Sequence, residues 1–362
     1  MATSFAQFGN ELYTGKRSYN IVGNRKRWFA FAGGLVVLSI LLLTFVRLNP
    51  GIEFRGGSEF QVANVASVDQ NLAYEAVETV ATDHVARVSQ VGNDTIRVQT
   101  EELSDEETTE LAEALADAYD VSVSDVTASF VGPAWGKDVT GKALRGLVIF
   151  LALVTIVMAG YFRHWKMSIA ALIALLHDLV ITVGMYAGVG FEVTPATVIG
   201  FLTIMGYSLY DTVVVFDKVR ENTAGVLEQT KYTYAEAANL AVNQTLVRSI
   251  NTSVVGLLPV GSILFVGSFL MGAGTLRDIA LALFIGLIFS TLSSIFVATP
   301  IEVWLRERDP AIAEHTAKVI ASRTTVDDEG EVTVAQPVVG GLVAGQHRGQ
   351  SAQPVRKKGR RK

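Results

Sequence analysis

The chain has 362 residues, 50% of them hydrophobic and only 18% charged, with a net charge of −5. Soluble domains carry roughly 25% charged residues, so this balance excludes an ordinary soluble protein of the same length. There is no cysteine and there are five histidines, which excludes disulfides, thiolate metal sites and cysteine nucleophiles and leaves little for a histidine metal centre.

In chain order, a basic arm ends in Arg25-Lys26-Arg27 and runs into an apolar stretch, Trp28 to Val46. That stretch is as long as a full membrane span and has no small-residue cleavage site after it, so it reads as a signal-anchor helix. Five further apolar segments of spanning length follow. The six predicted spans cover about 28–48, 144–162, 167–188, 195–216, 247–268 and 276–304. No barrel-like alternation is present, so the spans are helices.

Between the first two spans lie residues 49–143, with 18 Asp and Glu against 5 Lys and Arg, a net of −13. The pattern there predicts strands at 58–64, 86–91, 95–100 and 121–131, and helices at 67–84 and 104–119. Ser104 with Glu107 forms a capping box before the second helix. The order βαββαβ suggests a ferredoxin-like α+β domain. Beyond about 310 the chain loses periodicity and ends in a basic cluster, Arg356 to Lys362, which reads as a largely disordered tail suited to anionic lipid or another polyanion.

Basic residues fix the orientation. Lys16, Arg17, Arg25, Lys26 and Arg27, then Arg163 and Lys166, then Lys218, Arg220 and Lys231, then Arg306, Arg308 and the terminal cluster all fall on one side of a six-span count. That side is therefore cytoplasmic, with both termini inside. The expected division is a basic arm at 1–27, a first span at 28–48, an extracytoplasmic domain at 49–143, five spans within 144–305 and a tail at 306–362.

Ionisable groups inside a bilayer are costly and point to function. Three stand out: Asp178 in span three, Asp211 in span four and Arg248 in span five. Tyr207 and Ser208 lie one turn before Asp211, and Thr212 follows it. Gln244, Thr245 and Thr252 lie one turn either side of Arg248, as a polar stripe. The spacing suggests an Asp211–Arg248 pair that acts as a proton switch, with Asp178 as a second candidate; a static helix clamp is the alternative. His177 reads as a packing residue. Gly200, Gly206, Gly256 and Gly261 suggest close helix packing. No phosphate loop, GxSxG or metal-spaced histidine cluster appears, so neither an enzyme nor a cofactor is expected.

Several motifs resemble those of the SecD/SecF family of protein-export membrane proteins, in the pattern of its SecF members. They are Gly51-Ile-Glu-Phe-Arg-Gly-Gly57, Phe130-Val-Gly-Pro133, Ala174-Leu-Leu-His-Asp178, Gly206 to Asp217 with Arg220-Glu-Asn222, and Asn243-Gln-Thr-Leu-Val-Arg248 with Thr252-Ser253. The likeness covers about residues 28–305. The family usually has Asn before the intramembrane Asp, where this chain has Tyr210. The resemblance implies an auxiliary subunit of the Sec translocase in the bacterial inner membrane, within the RND superfamily. It implies that the subunit works with SecD and the SecYEG translocon on preproteins, using the proton-motive force, with membrane lipids around it and no nucleic acid. An RND-type exporter of small molecules or lipids is the alternative. Such exporters usually have twelve spans, so half that number implies a partner. A non-transporting membrane scaffold is the third reading.

Overall fold

The computed structural model describes residues 5–82, 84–267, 274–326 and 332–334. Among them, six helical segments are long and apolar enough to cross a membrane: Arg25–Phe45, Pro133–Phe162, Trp165–Val189, Pro195–Glu228, Tyr234–Gly267 and Leu276–Arg306. The chain is a multi-pass helical membrane protein. It divides into two compact units, residues 24–216 with 248–302, and residues 1–23 with 217–247 and 303–362.

The first unit begins with α1 (Arg25–Phe45). A two-residue strand β1 (Asn49–Pro50) and a short helix α2 (Ile52–Arg55) lead into the small domain. There β2 (Gly57–Val62), α3 (Gln70–Val80), β3 (Arg87–Val91), β4 (Thr95–Thr100), α4 (Asp105–Tyr119) and β5 (Val126–Val131) follow in chain order. The four strands form an antiparallel sheet in the order β3-β4-β2-β5. Alternation along β2 and β4 sends Phe60, Val62, Ile96 and Val98 to one face, where Ala73 and Val77 of α3 and Leu111 and Leu115 of α4 bury them. The Ser104–Glu107 capping box forms as the sequence predicts, with Ser104 N 2.8 Å from Glu107 Oε2. The last strand is shorter than predicted, because Val123–Asp125 turn as a 3-10 helix first.

The Gly56-Gly57 pair has a steric reason. Gly56 and Gly57 hold φ of 84° and 135°. A Cβ on Gly56 would meet Pro133 at 2.9 Å, and one on Gly57 would meet the Thr100 carbonyl oxygen at 2.3 Å. The two ends of the small domain therefore close on one another at α5 (Pro133–Phe162). That helix starts eleven residues before the predicted span. Hydropathy registers the apolar stretch, not the polar turns around Lys137, Asp138 and Lys142 that precede it.

Four more spans complete the bundle. They use α6 (Trp165–Val189), α7 (Pro195–Thr223), α8 (Tyr234–Ser262) and α9 (Gly274–Ser293). Each of α8 and α9 continues into a π-helical turn, Ile263–Gly267 and Ser294–Ala298. The last span then runs on as α10 (Thr299–Arg306). The turn between α6 and α7 carries β6 (Glu192–Val193), which pairs in parallel with β1. Glu192 there accepts from Arg97 Nη1 at 3.2 Å and from Gln99 Nε2 at 2.7 Å. A Cβ on Gly200 would lie 2.6 Å from the Ala282 Cβ, so α7 and α9 touch backbone to backbone there, as expected. Gly206 differs from expectation, since its Cβ position is open space.

In the second unit, α11 (Phe5–Tyr13) is followed by a clasp onto the first turns of α8. Asn243 Oδ1 accepts from Tyr19 N at 2.7 Å, and Asn239 Oδ1 accepts from Ile21 N and Val22 N at 2.9 and 3.0 Å. The expected disordered tail is corrected in part. Pro310–Arg323 form a helix, α12, that buries Ile312, His315 and Val319. Arg323 pairs with Glu236 at 2.8 Å. Short β7 (Thr324–Val326) and β8 (Val332–Val334) follow it. Residues 356–362 lie outside the described residues.

Candidate functional site

Two carboxylates sit inside the bundle of the first unit. Asp178 on α6 is 2% exposed and Asp211 on α7 is 4% exposed. A buried carboxylate needs partners for its lone pairs. Here the partners are serine hydroxyls. Asp178 Oδ2 accepts from Ser208 Oγ of α7 at 2.6 Å and from Ser293 Oγ at the end of α9 at 2.7 Å. Its Oδ1 lies 3.1 Å from His177 Nδ1. Asp211 Oδ1 accepts from Ser249 Oγ of α8 at 2.9 Å, and its Oδ2 accepts from Ser294 Oγ.

The two centres are joined through the last span. Ser293 and Ser294 are consecutive, yet they reach different carboxylates on different helices. They do so where α9 gives way to the π-helical turn Ser294–Ala298, and such turns are frequent at functional sites. A change in winding at that turn alters the hydrogen bonds of both carboxylates together.

The expected Asp211–Arg248 ion pair is not formed. Arg248 is on an exposed face of α8, and among the described residues no hydrogen bond or ion pair reaches its guanidinium. Its charge acts on Asp211 only through space. The helix rotation explains this. The buried stripe of α8 is Thr245, Ser249 and Ser253, spaced four apart, which turns Arg248 and Asn251 outward.

The other predicted site residues are dispersed. Ser208 serves Asp178 rather than Asp211. Tyr207 donates its hydroxyl to the Thr252 carbonyl at 2.8 Å, joining α7 to α8. Thr212 is buried but bonds neither carboxylate. Thr245 and Thr252 donate back to carbonyls of their own helix. Gln244 belongs to the second unit, where it accepts from Asn222 and donates to the Tyr13 carbonyl. Sequence reading missed Ser249, Ser293 and Ser294. The signal was available as hydroxyls four apart on α8, and as Ser290, Ser293 and Ser294 clustered in an otherwise apolar span.

A hydroxyl both donates and accepts. A carboxylate held only by hydroxyls keeps its hydrogen bonds when it is protonated, because one serine proton turns round. An arginine partner would instead be left as an unpaired buried charge. The arrangement thus tolerates both protonation states of Asp211 without loss of contacts.

A membrane bundle with two buried carboxylates and a small α+β domain defines the class, and comparison with known proteins gives the family. Residues 111–308 match the family model of the protein export membrane protein SecD/SecF, C-terminal. The protein translocase subunit SecF of Streptomyces coelicolor is 45% identical over 325 residues, which is 89% of this chain and 86% of that one. The same subunit of Mycobacterium tuberculosis is 42% identical, over 89% of this chain and 75% of that one. The crystal structure of SecDF from Thermus thermophilus, described as a translocon-associated membrane protein, superposes with a TM-score of 0.71 at 32% identity. The match covers 81% of this chain and 39% of that chain. The chain belongs to the SecD/SecF family of protein-export membrane proteins.

Proposed function

We propose that the protein is an auxiliary subunit of the Sec translocase that, together with SecD, couples the proton-motive force to late stages of preprotein export. The observation that carries the proposal is the pair of buried aspartates, Asp211 held by serine hydroxyls and Asp178 by two serine hydroxyls and the His177 imidazole, with no fixed cation bonded to either. Each proton that crosses yields about 2.3 kcal/mol per 100 mV, enough to bias a helix rearrangement of modest cost. The π-helical turn is the element whose winding both carboxylates influence.

Two features support SecD as the partner. The SecDF relative has more than twice the length matched here, so this chain corresponds to one part of it. In addition, Arg248 faces outward from a membrane-spanning helix, where lipid is a poor neighbour for a guanidinium. A partner carboxylate on that face resolves the cost.

The small domain is ferredoxin-like in its βαββαβ order and is assigned to the extracytoplasmic side, where it contacts SecD or emerging preprotein. The basic second unit and both termini are then cytoplasmic, in the bacterial inner membrane, with SecYEG as the channel served. Affinity purification from mild detergent tests the partnership. Recovery with a SecD-like six-span protein is the expected result. Recovery solely as a monomer or homo-oligomer, with export undiminished in cells lacking SecD, contradicts it.

A further inference from the structure

The end of the sheet at which the small domain joins α1 and α5 holds a cavity of about 390 Å³. Pro50, Ile52, Val85 and Pro133 give it apolar walls, and Arg55 and Arg87 bring two guanidiniums to it. Local structure places both. Arg55 ends α2, just before the bend at Gly56 that brings the chain against Pro133. Arg87 opens β3, in register with Gln99 of β4. A second cavity, of about 180 Å³, shares Arg87 and Gln99 with the first and continues to Arg277 near the start of the last span.

Residues 49–143 hold 18 acidic side chains against 5 basic ones, so a cation there has carboxylates all around it. Arg97 takes Glu192 at 3.2 Å and Lys142 takes Asp138 at 2.8 Å. Arg55 and Arg87 take none: among the described residues no hydrogen bond or ion pair reaches either guanidinium. The Gln99 amide is committed to Glu59 and Glu192, at 3.0 and 2.7 Å. Glu101 and Glu102 line the same cavity without closing on either arginine, and Glu101 instead lies 4.0 Å from His84 Nδ1. Burial first, and the Arg87 charge second, push the Arg55 guanidinium below its ordinary value, against a smaller opposing effect of Glu192. Two like charges held together without a counter-ion favour an anion between them.

We propose that Arg55 and Arg87 bind a side-chain carboxylate on an extended segment of emerging preprotein. The proposal rests on the reading of the small domain as a contact for exported polypeptide and adds the group it recognises. Three features select that ligand. Pro133 lies eleven residues before the apolar part of its span, about 16 Å along the helix axis. Headgroups reach only about 5–8 Å beyond the hydrocarbon, so the cavity stands above the lipid phosphates. Glu101 and Glu102 oppose a polyanion, whereas a lone carboxylate meets far less repulsion. The apolar walls suit the stem of a side chain, and the adjoining second cavity gives the rest of an extended chain a place to lie. Each guanidinium offers a planar fork of N–H donors that matches a carboxylate.

The test uses the purified complex of the chain with its partner in nanodiscs of neutral lipid. It reads fluorescence anisotropy of a labelled, unstructured peptide with one Glu among neutral polar residues. Two partly exposed ion pairs make that peptide bind about 10-fold more tightly than its Gln counterpart, and the preference shrinks in about 1 M salt. Arg55→Gln combined with Arg87→Gln binds both peptides alike, at the affinity the unmodified complex shows for the Gln peptide, which also shows that the domain is folded. Equal binding of the two peptides by the unmodified complex overturns the carboxylate site while leaving the domain a polypeptide contact. Binding of neither peptide overturns the site together with that underlying reading. A preference shown by the isolated chain and absent from the complex gives the cavity to an acid of the partner and overturns the assignment to preprotein. Loss of the preference in nanodiscs containing phosphatidylglycerol overturns it in favour of a lipid phosphate.

Discussion

Replacing Arg248 by leucine separates the chain alone from the chain in its complex, because the expected signs are opposite. In the isolated chain the guanidinium is exposed and has no hydrogen-bond or ion-pair partner among the described residues. An arginine facing lipid at mid-span costs about 2.5–3.5 kcal/mol. Arg248 lies near one end of the apolar part of its span, where the side chain can reach toward the interface, so the recoverable cost is smaller, about 1–3 kcal/mol. Arg248→Leu therefore stabilises the isolated chain in detergent or bilayer by up to that amount. In the complex the same change strands the partner's carboxylate, and breaking a buried pair costs about 3–5 kcal/mol. The complex then weakens by roughly 10²- to 10⁴-fold, at 1.36 kcal/mol per decade. Arg248→Lys keeps the charge but loses the planar fork, and falls between. Thermal unfolding of the purified chain gives the first sign, and recovery of the partner on affinity resin gives the second. Unchanged partner recovery in Arg248→Leu would show that this face meets no acid and would remove the main physical argument for a paired subunit.

Other expected outcomes follow from single sites. Gly200→Val places methyl groups where the Ala282 Cβ and the Ile279 carbonyl already stand, so it forces α7 from α9; overpacking of this kind costs about 1–3 kcal/mol, read as a lower unfolding temperature, whereas Gly206→Ala, with open space at its Cβ, is nearly neutral. In the small domain, burial foremost, with Glu192 and Glu59 nearby, pushes the Glu53 carboxyl above the usual range. A raised acid destabilises the fold above its folded-state pKa and costs nothing below its unfolded value near 4.5, so Glu53→Gln stabilises the domain at neutral pH and the gain disappears on acidification through that window. Hydrogen exchange of β2 and β4 at two pH values measures it, and an equal gain at both refutes the cause. Cysteines placed singly at Asp94 and Lys231, in a chain with none of its own, label from opposite sides of the membrane; labelling from the same side overturns the orientation.

The sequence was most informative where one physical signal dominates. Apolar runs of spanning length located all six spans, because nothing else produces them in a chain with so few charges. The Ser104–Glu107 box located a helix start, because its chemistry is local. Helix ends beyond the bilayer were not legible in that way. The polar turns of α5 and the amphipathic helix α12 carry no hydropathy signal, and α12 is held by distant contacts such as Arg323 with Glu236. At the site, the cost of an intramembrane carboxylate points to Asp178 and Asp211, and both are buried in the bundle. Their partners are not legible in the same way: charge favours Arg248 for Asp211, while a one-residue rotation of α8 gives the position to Ser249. Serine is small and common in spans, so Ser293 and Ser294 gain meaning only when the helices are brought together.

The central claim is that Asp211 gains and loses a proton while the protein works, and Asp211→Asn tests it most directly. The amide fits the same space, and Ser249 and Ser294 can serve it by turning one hydroxyl, so folding and partner binding survive. The measurement is preprotein translocation into vesicles with and without an imposed proton gradient. The account predicts that Asp211→Asn vesicles keep their basal, ATP-driven translocation and lose the stimulation by the gradient. Stimulation equal to that of the unmodified protein would contradict it.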